Sequence, residues 1–240
     1  MSLPTEFESQ QPRLNELGRL LRQLEGDDPL LLAKKRDRLL AEFDVYRWFV
    51  PEEYGGFGWD SLQIVSGYLE LSQACLSTAF VLTQRSGAVR RLVTCENNAL
   101  KEKLLPDLAS GNRFTTVGIS HLTTSRRHLG RPVLRAEKRD DAFRLNGFSP
   151  WVTGVSLADS VVVGASCDDG TEILIHVETD LPGVSRPEIP QLVALTDSCT
   201  GEIRFEDAVV TNDQLVGGPQ ENIMSGGSGG NTGGLQTSTL

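Results

Sequence analysis

The chain has 240 residues, 39% of them hydrophobic, which suffices for a real core in one large domain or two small ones. Its 32 acidic and 23 basic residues give a formal net charge of −9, which repels nucleic acid and anionic membrane surfaces and argues against both as partners. No apolar run approaches the roughly 20 residues that span a bilayer, and the polar start MSLPTEFESQQPR is no signal peptide, so the expectation is a soluble cytoplasmic protein.

Leu14, Leu17, Leu21 and Leu24 recur at helical spacing among Arg13, Arg19, Arg22 and Gln23, which predicts an amphipathic helix ending at Gly26. Asp28 before Pro29 reads as an N-cap with proline at the first helical position. Leu32, Leu39, Leu40 and Phe43 then supply the apolar face of a second helix. Pro51, Gly55 and Gly56 break the pattern, and Asp60 is placed to cap a third helix whose apolar face runs through Leu62, Val65, Leu69 and Leu76. More helix follows through Val89, Leu92, Leu100, Leu104 and Leu108. A kink or restart is expected at Pro106 before Gly111 ends the segment.

Beyond Gly111 the pattern changes to short β-type runs: Phe114 to Ile119, Val133 to Ala136, Phe143 to Leu145, Val161 to Val163, Ile173 to Val177 and Ile203 to Phe205. This half reads as antiparallel β, with Asn146-Gly147 as a turn signal because both central positions of a type I′ turn need positive φ. From Gly226 to Gly234 there are six glycines in nine residues, too flexible for regular structure.

Cys75, Cys95, Cys167 and Cys199 show no CxxC spacing, so neither a zinc site nor a disulfide scaffold is written here and reduced, buried thiols are expected. His121, His128 and His176 have no carboxylate or cysteine at metal-ligand spacing, and no GxSxG or Walker-type loop is present. The Gly-rich tail follows no strand and lacks the lysine of a phosphate loop. Trp151-Val152-Thr153 is more informative: strand alternation puts indole and hydroxyl on one face, a pairing suited to a flat heteroaromatic ligand. Spacing alone favours the plainer reading, a core Trp and a Thr that satisfies a backbone group.

Four segments in order, VPEEYGGFG at Val50 to Gly58, KEKLLPDLASG at Lys101 to Gly111, LNGFSPWVTG at Leu145 to Gly154 and IRFEDAVV at Ile203 to Val210, resemble the acyl-CoA dehydrogenases. The resemblance implies an α+β fold: an N-terminal all-helical domain at residues 1–111, followed by an antiparallel β-barrel domain at 112–218. Residues 219–240 then form a Gly-rich linker and the start of a C-terminal helical domain that is otherwise missing. It further implies FAD as cofactor, an acyl-CoA-type small-molecule substrate oxidised between its α and β carbons, an electron-transfer partner or oxygen as acceptor, and a homo-oligomer.

By the same resemblance Trp151 flanks the isoalloxazine and Thr153 hydrogen-bonds near its reactive nitrogen, orienting the cofactor without carrying protons. Gly118 to Ser125 falls where relatives carry a Thr-Glu-Pro and a Gly-Ser pair. Here Ser120, Thr124 and Ser125 offer equivalent donors and His121 replaces the usual Thr, while Arg126 and Arg127 are either phosphate ligands or solvated. No catalytic residue is assigned, since the family's base is a glutamate of the C-terminal domain. These 240 residues alone are therefore expected to bind FAD weakly and turn over nothing. Gln84 and Arg85 are polar candidates for the pocket floor or for an exposed helix face. Two other readings remain open here: a flavin monooxygenase or oxidase on the same fold, or a non-catalytic two-domain scaffold.

Overall fold

A computed structural model describes residues 5–123 and 132–225. Five helices come first: α1 Thr5–Gln23, α2 Pro29–Glu42, α3 Ser61–Ala74, α4 Leu76–Thr94 and α5 Asn98–Ser110. α2 and α3 start where the cap chemistry places them. The Asp28 carboxylate accepts the Leu30 and Leu31 N–H groups, and Asp60 forms a capping box with Gln63, each cap stabilising its helix by about 1 kcal/mol. The leucine stripe of α1 is buried against Tyr46, Trp48, Trp59 and Tyr68.

The break expected at Pro106 lies elsewhere. α5 runs through Pro106, and the interruption falls at residues 95–97, where the Asn97 side chain caps the new helix by accepting the Leu100 N–H. Pro106 is on the solvent face, where water can satisfy the carbonyl four residues earlier that proline leaves without a donor.

The segment 50–58 folds back on itself. The Phe57 N–H donates to the Arg47 carbonyl at 2.7 Å and the Gly58 N–H to the Val50 carbonyl at 3.0 Å. That reversal presses Gly56 onto Val50, which is itself fully buried.

Eight strands follow: β1 Thr115–Gly118, β2 Leu134–Arg139, β3 Ala142–Val152, β4 Ser160–Cys167, β5 Glu172–Glu178, β6 Val184–Ser185, β7 Gly201–Thr211 and β8 Leu215–Gln220, with a short helix α6 Ser120–Thr123 after β1. They form one sheet in the order β6-β7-β3-β2-β4-β5-β8, with β1 paired to β4. The sheet is mixed, not wholly antiparallel: β1 and β2 both run parallel to β4. Parallel pairing needs a long connection, and the β2–β3 hairpin lies within the one between β1 and β4. The α+β class stands.

Asn146-Gly147 is not the hairpin turn. β2 and β3 are joined at Asp140 and Asp141, while Gly147 sits inside β3 at a register slip against β7, with φ of 125°. Gly147 has the positive φ that the dipeptide signalled but Asn146 does not, and a lone positive φ at a register slip makes a bulge and not a type I′ turn. β8, LVGGPQ, gave no strand signal because its Gly-Gly-Pro suits only an edge, and it lies at one end of the sheet.

Side chains from α4, α5, β1, β4 and β8, including Val89, Leu104, Val117, Val162 and Val216, share one buried cluster. Helices and sheet are therefore packed through a common core. All four cysteines are free, Cys95 and Cys199 buried and the other two half-buried.

His176 on β5 is 2% exposed and its Nε2 has no partner among the described residues. Burial first, then the Arg113 and Lys103 charges, push its pKa down from 6.5 to about 4. A histidine whose folded value is depressed takes up its proton first in the unfolded chain, so its contribution to stability is intact above about pH 6.5 and is lost on descending toward 4. Between pH 7 and 4.5 this one group is expected to cost about 2 kcal/mol. Denaturant titrations at the two pH values should show a smaller loss in His176→Phe than in the wild type; identical losses would refute the assignment.

Candidate active site

The shared core leaves a cavity of about 1190 Å³ between α4 and the strands. Trp151, Ser120, Ile119 and Gln84 all line it, with residues of β8 on another side.

Trp151 reaches the cavity through a distortion of β3. Its φ is 56°, and the ladder to β7 slips between Ser149 and Val152. A left-handed conformation costs a non-glycine residue about 1–2 kcal/mol, and such strain persists where surrounding structure enforces it. Its consequence is that strand alternation fails. Trp151 is 60% exposed, whereas Val152 and Thr153 are both buried. The expectation that Trp151 and Thr153 share a face is thus corrected, because the bulge rotates one against the other. The Thr153 hydroxyl accepts from Thr200 Oγ1 at 3.0 Å, and its carbonyl accepts from Thr116 Oγ1 at 2.7 Å.

The Ser120 hydroxyl donates to the Pro150 carbonyl at 3.1 Å, fastening α6 to the residue before Trp151. His121 is buried. Its Nε2 lies 2.7 Å from the Gly164 carbonyl and must carry the proton, which leaves Nδ1 to accept from Ser149 Oγ at 3.4 Å. Burial lowers its pKa, with the carbonyl contact opposing, so the ring is a neutral link between β3 and β4. Thr124, Ser125, Arg126 and Arg127 lie outside the described residues.

Gln84 and Arg85 part company. Gln84 lines the cavity, whereas Arg85 is 0% exposed on the other side of α4. Its Nη2 donates to the Leu108 carbonyl at 2.6 Å and the Arg113 carbonyl at 3.3 Å, and its guanidinium carbon lies 3.4 Å from the Tyr46 ring centroid. It caps the C-terminal end of α5, where carbonyls lack helical partners and the helix dipole favours a cation. Arg90 and Arg91 also line the cavity and were missed in the sequence, although they follow Gln84 by just under two turns of the same helix. Among the described residues no cluster of His, Cys, Asp and Glu could hold a metal, and no helix is long and apolar enough to cross a membrane.

Residues 30–112 match the family described as acyl-CoA dehydrogenase, N-terminal domain. The mitochondrial isovaleryl-CoA dehydrogenase of Arabidopsis thaliana is 31% identical over 193 residues, covering 78% of this chain and 45% of that protein. An acyl-CoA dehydrogenase of Bacillus anthracis, solved in complex with FAD, matches with a TM-score of 0.77 at 24% identity, over 93% of this chain and 39% of that one. Butyryl-CoA dehydrogenase from Megasphaera elsdenii matches with a TM-score of 0.73 at 22% identity, over 91% and 60%. The helical layer, mixed sheet and intervening cavity are thus the acyl-CoA dehydrogenase fold. The chain belongs to the acyl-CoA dehydrogenase family, and it spans about half the length of the curated relatives it matches.

Proposed function

We propose that this chain supplies one side of the flavin and substrate site of an FAD-dependent acyl-CoA dehydrogenase that removes hydrogen across the α and β carbons of an acyl thioester. The observation that carries the reading is Trp151, a large aromatic residue held in a strained backbone and 60% exposed on the cavity wall. Burying such a ring against a flat heteroaromatic ligand recovers apolar area that water now covers. The flavin, when bound, would supply the hydride acceptor.

The residues of the chain act around it. Trp151 and Ser120 would meet the ring system, and His121 and Thr153 would hold the backbone that aims them through their bonds to Gly164, Ser149 and Thr200. Thr124 and Ser125 are proposed as further donors on sequence grounds alone. The reading extends to a helical domain at 1–111, a β-domain at 112–218 and a third region from 219 onward. It also includes a homo-oligomeric cytoplasmic protein that passes its electrons to an electron-transfer partner.

The test is flavin content. The full-length protein is expected to carry near-equimolar FAD that an acyl-CoA bleaches under anaerobic conditions. Trp151→Ala should loosen FAD by roughly tenfold, the size of a lost aromatic stacking contact. A wild-type protein that neither contains nor takes up flavin would sink the reading.

A further inference from the structure

α4 has two contrasting faces. Leu82, Arg85, Val89 and Leu92 are buried in the core. The cavity side carries Thr83, Gln84, Gly87, Arg90, Arg91 and Thr94, a spacing of one, four, seven, eight and eleven residues that marks one helical stripe. Not one of these six is apolar. Across the cavity Val117, Ile119, Leu174, Leu215 and Val216 face the same space, beside Ser120, Thr123 and Asn212.

Both arginines are half-buried, and burial is the first cause lowering the pKa of each, with Arg90 adding to the effect at Arg91. Arg91 Nη1 donates to the Gly87 carbonyl at 2.8 Å, which lays the side chain along the helix. Among the described residues Glu96 is the one carboxylate that lines the cavity, against two arginines. A plain hydrocarbon tail on this stripe would take water from the Arg91 guanidinium and return no hydrogen bond. The apolar side chains across the cavity, by contrast, suit a methylene stem.

We infer that the cavity takes an acyl thioester whose far end carries a carboxylate, with Arg90 and Arg91 as the site for that anion and the strand wall holding the stem. The inference rests on the acyl-CoA reading above and narrows it. Seven residues of helix separate Gln84 from Arg91, about 10 Å along α4, which is room for a medium-length chain. Planar guanidiniums match a carboxylate through paired N–H donors.

The experiment compares octanoyl-CoA with octanedioyl-CoA, equal in length, on the full-length flavin-loaded protein. Binding is read by calorimetry and by the shift in flavin absorbance. The dicarboxylic thioester is expected to bind at least about tenfold tighter, the worth of one charged hydrogen-bonded contact. Arg90→Gln and Arg91→Gln should each pull the ratio of the two affinities toward one, and Arg91→Lys should retain part of it. A wild-type protein that binds octanoyl-CoA as tightly as the diacid overturns the inference without any variant. So does an equal loss of both thioesters in the glutamine variants, which would put the arginines on the carrier's phosphates. If neither thioester binds, the acyl-CoA reading falls and takes this inference with it.

Discussion

Arg85→Ala is expected to lower the unfolding free energy by about 3–5 kcal/mol, the cost of removing one member of a buried charged network. The guanidinium satisfies the Leu108 carbonyl at the end of α5 and the Arg113 carbonyl at the approach to β1. It therefore ties helix to strand. Alanine would leave both carbonyls without that donor in a site water cannot easily reach, and would strip the Tyr46 and Phe114 rings of the cation they face. Asp37, whose carboxyl accepts from the Tyr46 hydroxyl and feels the Arg85 charge, would lose its favourable field as well. Arg85→Met keeps most of the volume and should cost less than alanine, which separates packing from charge. Equilibrium urea unfolding measures both, and a loss under 1 kcal/mol for alanine would show that the network is not structural.

Gly56→Ala is expected to cost about 3 kcal/mol or more, because a Cβ there would stand 1.8 Å from the Val50 carbonyl oxygen. The obstacle is backbone and cannot rotate away, and overpacking of this kind runs to 1–3 kcal/mol where the neighbours can yield. Val50 is buried in the core shared by helices and sheet, so its displacement would be felt in both. Gly55 is the control. A Cβ on it meets nothing within 4 Å, but its φ is 83°, so Gly55→Ala should cost only about 1 kcal/mol for the left-handed backbone. Thermal unfolding of the two variants side by side tests the pair; comparable losses would show that the close approach is relieved by local movement.

Both predictions bear on what could be read before folding. The doublet Gly55-Gly56 was visible as a break, but the sequence could not say that one glycine answers a φ and the other a carbonyl. Arg85 looked like its neighbour Gln84. One step along a helix is about 100° of rotation, enough to place one in the cavity and the other in the core. Periodicity assigned the buried face of α1, but it misplaced that of α3: Leu62 and Leu69 are exposed, Leu76 begins α4, and the side of α3 that packs inward carries Gln63, Tyr68 and Leu71. It did not mark Arg90 and Arg91 as cavity residues, since a polar stripe reads as solvent-exposed until something is known to stand opposite it.

By itself the sequence determined the helix starts at Asp28 and Asp60, the change from helix to strand after Gly111, and the family signature, because capping, residue periodicity and motif order are local in the chain. Tertiary structure alone decided that β1 and β2 run parallel to β4 and that Asn146-Gly147 is a bulge. It also turned Trp151 outward while Thr153 turns in, and it placed the polar face of α4 across a cavity from apolar side chains of β1, β5 and β8. Each of these depends on which distant segments meet, and chain order carries no record of that meeting.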